Sequence, residues 1–406
     1  MSTLKVNKLR DTAGSADAIT LDPNGGAVLA GVTTMTTARV TSGIVTNTFI
    51  VGAGVTISES GIEASGIGIT CASINGTQIG GRRNIVINGA MNIAQRGTSS
   101  TSASYATVDR FRLSVANTDQ AAYTQKQVTD SPDDFSSSYE FDVTTAETSL
   151  ESTEYAFIGH RIEAQNLQSV KANQVTLSFH VKSYQTGTYA INLYQQDGNI
   201  HITRTYTISS SATWEKKTIT FAANTGTQPS NDNGFGWEIA WIMAAGSGVS
   251  SSDSTSWGTY SDAGFAYGQG VNVLSSTDNY FKITGVQLEV GSQATAFEHR
   301  SYGEELDLCK RYYQSYQPYY NSAQYLITNE IASNTVFFHP EMRTTPTATH
   351  GALSCRENTG SFADVTVSSN YLLNSKGINY VVTKSGASTS DSFIIFVNNA
   401  EYDAEL

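Results

Sequence analysis

Charge is what this chain has least of. Only 15% of its 406 residues are charged, against roughly 25% in ordinary globular proteins. Long surface helices, which draw on Glu, Lys, Ala and Leu, are disfavoured by that shortage. Ser, Thr, Gly and Asn take the vacated positions, and these suit turns and solvent-facing strand positions. Cysteine is also scarce: Cys71, Cys309 and Cys355 lie far apart with no C-x-x-C pair. That spacing argues against a disulfide scaffold and against a zinc site. The six histidines are equally scattered. No run of about 18 apolar residues exists, so no membrane insertion is expected. Met1 to Arg10 carries charge but no apolar stretch follows, so no secretory leader is read and the chain is expected to be made in a cytoplasm.

Among the charges present, acid predominates. The net charge of −12 repels phosphate backbones and argues against a nucleic-acid partner. It fits solubility, or divalent cations held at loops. Hydrophobic residues make up 39%, enough for a core without excess. An all-β chain with at most one helix is the expectation.

Three parts follow one another. Residues 1–83 are rich in Thr, Gly, Val and Ile, with Gly-Ile and Gly-Val pairs at Gly43, Gly54, Gly61, Gly66 and Gly68. Val55 to Ser58 alternates as a strand does, and Asp22-Pro23-Asn24-Gly25-Gly26 is a strong break. No window here buries a core alone, because a single chain of short strands leaves edges and an apolar face exposed. Three copies wrapped on one axis solve both problems, which predicts a slender trimeric β stalk; a disordered Gly/Thr linker is the alternative. Residues 84–300 show strand signals at regular intervals: Val175–Val181, Tyr189–Tyr194 before the turn Asp197-Gly198-Asn199, Lys217–Phe221, Trp237–Met243 and Tyr280–Val290. Many short strands with turn punctuation predict a jelly-roll-like β-sandwich. Residues 301–406 open with Ser301-Tyr302-Gly303-Glu304, a capping box, and Tyr302, Leu306, Cys309 and Tyr313 recur at helical spacing, predicting one short helix near 302–314. Further strand signals (Tyr325–Ile327, Val336–Phe338, Asn379–Val382, Ser392–Val397) predict a smaller C-terminal β domain.

An ordered series of segments resembles phage tail-fibre proteins. Asn84 to Gly97 resembles the opening strand of their β-sandwich, followed by a Tyr-x-x-x-Asp-Arg-aromatic stretch, here Tyr105 to Phe111. Val175 to Ser183 is similar to the central strand, with His180 where Trp is common. Ile283 to Gly291 with Phe297-Glu298-His299-Arg300 resembles the closing strand. The helix from Ser301, Glu341 to Thr347, the ending Asp403 to Leu406 and the opening Leu4 to Thr12 match in the same way, the last resembling fibres of marine cyanobacterial phages. The resemblance implies a virion protein: a tail fibre, often a homotrimer, docked to other virion proteins through its N-terminal region, with a carbohydrate-binding-module-like sandwich that attaches to a host surface glycan such as lipopolysaccharide. A capsid-associated fibre or decoration protein and a glycan-cleaving tailspike are the alternatives.

Catalytic constellations are not evident. There is no G-x-S-x-G, H-E-x-x-H or phosphate-binding loop, so no enzyme is expected. Asp109, Asp133, Asp134, Glu238 and Asp262 are numerous enough for a glycosidase pair, but spacing across a sugar cannot be read from sequence. Asp109 with Arg110 reads as a structural ion pair or a turn cap, and Glu289 with Arg300 as a candidate stabilising pair. Cys309 with His299 reads as a buried thiol rather than a dyad. For glycan binding, an aromatic face must meet a sugar's C–H face beside hydroxyl-binding groups. Trp257, Tyr260, Asp262 and Tyr267, within the loop-like stretch 250–267, supply both and are the candidate site, with packing as the other reading for Trp257. Trp237 and Trp241 alternate with Ile239 and Met243 and read as core. The tyrosines Tyr312, Tyr313, Tyr316, Tyr319, Tyr320 and Tyr325 form a second candidate, or else line a trimer axis or a domain joint. No cofactor is called for; calcium at Ser131–Asp134 or Asn231–Gly234 competes with ordinary Asx turns.

Overall fold

The computed structural model describes residues 82–406 apart from 117, 119, 328, 358–359, 368–371, 386 and 388–391, together with the backbone of short strands before residue 82. Residues 1–70 form one unit and 71–406 another. In the first, Lys8–Arg10, Asp17–Leu21 and Ala27–Leu29 make one antiparallel sheet, and Thr48–Val51, Val55–Ser58 and Gly61–Ala64 another. The strand read at Val55–Ser58 is therefore present. The trimeric stalk otherwise falls outside the described residues.

The second unit is all-β but for short helical turns and one helix. Its larger lobe is a jelly-roll-like sandwich of ten main strands: β1 (Phe111–Ala116), β2 (Ala122–Val128), β3 (Ser138–Thr145), β4 (Tyr155–Glu163), β5 (Val175–Ser183), β6 (Gly187–Gln195), β7 (Ile200–Ile208), β8 (Glu215–Phe221), β9 (Phe235–Ala245) and β10 (Tyr280–Val290). One sheet runs β1-β4-β9-β6-β7 and the other β8-β5-β10-β3-β2, each closed by a two-residue edge strand. Neighbouring strands are antiparallel throughout. Period-two alternation explains the layering. In β9, Trp237, Ile239, Trp241 and Met243 enter the core between the sheets, as their spacing predicts. They meet Ala156, Ile158 and Ile162 of β4 and Leu177, Phe179 and Val181 of β5. In β10 the alternation slips: Phe281 and Ile283 point inward, then Val286 and Leu288 do. Gly285 absorbs the extra residue with φ of 61°, where a Cβ would stand 2.5 Å from the Phe135 ring. The ladder to β5 shifts register at this point, as a β-bulge requires.

The segment Asn84–Gly97 is not a strand. Asn88 and Met91 both adopt positive φ, 60° and 59°, which breaks extended pairing. Asn88 makes the turn worthwhile: its amide donates to the Ile93 and Asp109 carbonyls and its oxygen accepts from Ile93 N. The smaller lobe starts with α1 (Tyr302–Lys310). Ser301 caps it, accepting from Glu304 N at 3.3 Å. The Glu304 carboxylate turns to Arg82 instead of closing the box. Tyr302 is exposed, whereas Cys309 is buried with Ile87, Ile93 and Tyr312. Behind the helix stand a three-stranded sheet, in which Ala400–Asp403 lies between Tyr313–Tyr316 and Thr347–His350, and a seven-stranded sheet through Tyr319–Ile327 and Phe393–Val397.

Buried ions join the two lobes. Arg110, almost wholly buried on the sandwich, pairs with Glu405. Arg96 reaches Asp403 at 2.9 Å and Glu405 at 3.4 Å, its guanidinium lying 3.6 Å over the Tyr313 ring. Glu163, fully buried, accepts from Arg311 (2.6 Å) and from the Tyr312 hydroxyl (2.7 Å). Arg343 donates to the Ala404 and Glu405 carbonyls at 2.8 and 2.9 Å. Tyr312 and Tyr313 thus sit at the lobe joint. Two sequence-based ion pairs are corrected here. Arg110 takes Glu405, while Asp109 accepts from Gln95 N and Nε2. Arg300 takes Glu305 and the Asn84 and Val86 carbonyls, while Glu289 accepts from Gln287 and Thr295. Arg110 finds its anion in the other lobe, and Arg300 finds its own in the first turns of the helix that follows it.

Burial raises the Asp109 carboxyl to about 6, against hydrogen bonds from Gln95 and the charge of Arg96 that pull it down. A folded-state value above the unfolded one means that the stability is present below the unfolded pKa of 3.8 and lost as pH rises through about 6. Asp109→Asn should therefore flatten the stability profile across that window; denaturant midpoints measured at several pH values check it. Glu405→Gln should leave Arg110 buried without an anion and cost roughly 3–5 kcal/mol, read by chemical denaturation. A loss below about 1 kcal/mol would show the pair to be dispensable.

Candidate functional site

The outward face of the β1-β4-β9-β6-β7 sheet carries the residues that alternate with the core. Arg112 comes from β1, Tyr155, Phe157 and Arg161 from β4, Tyr194 from β6, and Phe235 and Glu238 from β9. The connection from β9 to β10 folds across part of this face. Its Phe265 and Ala266 pack on Phe157, Ala190, Ala240 and Ile242, and the loop is tied down by Ala266 N to Val249 O (2.8 Å) and Tyr260 N to Asn199 O (2.8 Å). A cleft of about 710 Å³ remains between loop and sheet, within the roughly 300–1,000 Å³ of small-ligand sites.

Its walls are aromatic. Tyr155 stacks on Phe157 (5.8 Å) and touches Phe265 (5.6 Å) on one side. Tyr194, Phe235 and Tyr260 stand on the other, with Tyr194 5.9 Å from Phe235 and 5.1 Å from Tyr260, ring edge to ring face in the latter pair. Tyr155, Tyr194, Phe235 and Tyr260 are all half-buried, each presenting part of its ring to solvent. Charge lies on the floor. Glu238 Oε1 accepts from Arg112 Nε (2.6 Å) and Arg161 Nε (3.2 Å). The two guanidinium groups lie over Phe157 (5.0 Å) and Phe235 (4.5 Å). Gly159 of β4 makes room for this pair, because a Cβ there would stand 2.9 Å from Glu238 Oε1 and 3.0 Å from the Phe157 ring. Around the rim, the Tyr194 hydroxyl donates to Gln196 (3.2 Å) and Asn199 (3.1 Å). Burial, and a hydrogen bond to Asp262, push the Tyr260 phenol up, so it remains a donor. Below Tyr260, His201 packs against its ring at 5.1 Å. Burial lowers the His201 pKa, and Asn192 Nδ2 faces its Nδ1 at 3.0 Å. The network fits a neutral imidazole with Nδ1 as acceptor.

Of the four residues singled out in the loop, Tyr260 and Asp262 line this cleft. Trp257 and Tyr267 do not. The Trp257 indole donates to the Ala222 carbonyl at 2.7 Å and lies 6.3 Å from Trp237, packed against the main core. Glu238, noted only as a carboxylate, proves to be on the floor. Tyr155, Tyr194, Phe235, Arg112 and Arg161 went unselected, yet the signal was available: Tyr194 and Glu238 occupy the alternate positions of strands whose other residues read as core. Asp109 lies at the lobe joint. Asp133 and Asp134 are exposed in their turn. Asp232 accepts from Gly234 N at 2.8 Å, an ordinary Asx turn. Among the described residues, no cluster of His, Cys, Asp and Glu is arranged to hold a metal ion.

No family model matches the chain, and no curated protein matches it. Solved structures similar to it include tailspike protein 4 of bacteriophage CBA120 (enzymatically active domain), at 15% identity and a TM-score of 0.28 over 51% of this chain and 21% of that one. A putative sugar-binding protein from Bacteroides thetaiotaomicron matches at 13% identity and TM-score 0.32, over 51% of this chain and 100% of its own. A family 11 carbohydrate-binding module of Clostridium thermocellum matches at 12% identity and TM-score 0.25, over 50% of this chain and 98% of its own. This chain thus spans about a fifth of the tailspike domain's length.

The Gly159→Ala substitution should force Glu238 or Phe157 aside. Overpacking of this kind costs roughly 1–3 kcal/mol, and the Arg112–Glu238 pair should separate in a crystal structure of the variant.

Proposed function

We propose that this chain is a virion protein, a homotrimeric phage tail fibre that attaches to a host surface glycan through the cleft over the β1-β4-β9-β6-β7 sheet, binding without cleaving. The observation that carries the glycan reading is the cleft's construction: half-exposed aromatic rings on both walls, and a rim of amide, phenol and carboxylate groups at hydrogen-bonding height. A sugar ring offers apolar C–H faces to the first and hydroxyls to the second. The floor supports a neutral or weakly charged ligand, because Glu238 offsets one of its two guanidinium charges. Both carboxylates already have work: Glu238 accepts from two arginines and Asp262 from Tyr260. This favours positioning over acid–base catalysis. The tail-fibre assignment, with virion partners bound through the N-terminal region, rests on the ordered segments that resemble that family. A trimer would present three such clefts, and several fibres per particle would turn modest affinities into firm attachment.

Titration calorimetry with oligosaccharides from host lipopolysaccharide tests the cleft. Tyr194→Ala and Tyr260→Ala should each weaken binding about tenfold, equivalent to about 1.4 kcal/mol, while Trp257→Ala should lower the melting temperature and leave affinity within about twofold. The reverse pattern would move the site to the Trp257 side of the loop. Release of reducing ends during incubation would overturn the non-catalytic assignment.

A further inference from the structure

One residue of the cleft floor belongs to two networks. Arg161 sends Nε to Glu238 (3.2 Å) and lays its guanidinium 4.5 Å over Phe235 on the cleft side. On its other side, Nη1 donates to the Leu406 backbone oxygen at 2.6 Å. Leu406 belongs to the smaller lobe and lies three residues beyond the end of the strand Ala400–Asp403. The few residues between are held from four directions. Ala404 N donates to Tyr312 O at 2.8 Å. Arg343 donates to the Ala404 and Glu405 carbonyls. Glu405 N donates to the Asp403 carboxylate at 2.9 Å, and the Glu405 carboxylate faces Arg110 and Arg96. Arg110 closes the circuit, for its Nη2 donates to the Arg161 carbonyl at 2.6 Å. Backbone and side chain of Arg161 are therefore both anchored to the joint.

We propose that the segment Ala404–Leu406 of the smaller lobe is a positioning element of the cleft, fixing Arg161 so that Glu238 and the Phe235 face are presented in one geometry. Arginine suits the task because its planar fork serves two directions at once without changing rotamer. A guanidinium released from Leu406 would regain freedom in its long side chain, and ordering it again on binding costs affinity. The linkage is reciprocal: a ligand that needs Arg161 in place tightens the joint, and a loosened joint weakens the ligand. The effect on affinity rests on the glycan reading above; the effect on Arg161 itself does not.

The test is Arg343→Ala, a substitution outside the cleft that removes two donors from the Ala404 and Glu405 carbonyls. The Arg161 Nε–H resonance is followed by nitrogen–proton NMR in the full chain without ligand, beside oligosaccharide affinity and melting temperature. The Nε–H signal is expected to shift and broaden and affinity to fall three- to tenfold. Arg343→Lys, which keeps one donor, should recover part of both. If Arg343→Ala prevents folding, Arg343→Gln serves instead, since its amide fills part of the space and keeps one donor for these carbonyls. An Arg161 signal unmoved in a folded variant overturns the proposal whether or not any glycan binds. A moved signal with no glycan binding even in the parent protein upholds the coupling and sinks the glycan reading.

Discussion

A guanidinium that cannot reach water has to meet an anion, and Arg110 is that group here. It lies in the sandwich lobe with almost none of its side chain exposed, beneath the Tyr312 ring at 3.5 Å. The desolvation cost of such a charge is several kcal/mol unless paired. Its sequence neighbour Asp109 is turned toward Gln95, and among the described residues the carboxylate it pairs with is Glu405. Glu405 of the smaller lobe supplies the charge. The arrangement makes the sandwich dependent on the far end of the described chain. It explains why the last strand, Ala400–Asp403, runs between two others in its sheet instead of at an edge. A segment that must deliver a carboxylate to a buried site has to be held in register, and a central strand is held on both sides.

The same alternation that builds the core builds the cleft. Every second residue of β1, β4, β6 and β9 faces the opposite sheet, and apart from His160 and Gln195 these are apolar. The residues between them would face water as Arg112, Arg161, Glu238, Tyr155 and Tyr194, an ordinary solvated face, were it not for the loop that follows β9. That loop covers the half of the sheet where the outward residues are Ala190, Ala240 and Ile242. It leaves uncovered the half where they are aromatic and charged. Composition of the outer face thus decides where the loop packs, and what the loop leaves open becomes the cleft. Gly159 is part of that decision, since an ion pair can lie flat on the sheet only where no Cβ projects.

Much of this was legible before the fold was known, and the misses share a cause. The strands Val175–Val181, Tyr189–Tyr194 and Trp237–Met243 announce themselves by period two, and Trp237 and Trp241 were placed in the core by the same rule. The helix was visible in its cap, although Tyr302 is on its exposed side and Tyr313 lies beyond its end. Asn84–Gly97 is a strand by resemblance alone, and two positive-φ positions with the hydrogen bonds of Asn88 make it a turn instead. The ion pairs were misread because adjacency in sequence says nothing about which charges tertiary packing brings together. In the loop, Trp257 takes the packing reading, its indole anchored to the Ala222 carbonyl. Tyr194 and Phe235 carry no motif, and only the pairing of their strands brings the two rings within 5.9 Å of each other.

The cleft's electrostatics bear on what kind of ligand it selects. A free arginine pair would draw any anion and discriminate little. With Glu238 bound to both, the floor is stiff and its donors are partly spoken for, so a ligand gains little from charge and must gain from shape and stacking. Each aromatic contact contributes on the order of 1 kcal/mol, which places a single cleft in the range of weak association. Weak single sites suit the proposed multivalent attachment, in which several sites engaged together supply the strength. On the proposed reading, the tie from Arg161 to Leu406 acts on specificity as well as strength. It keeps one wall of the cleft from adapting to ligands of the wrong shape, so that rejection comes from rigidity built into the joint between the lobes.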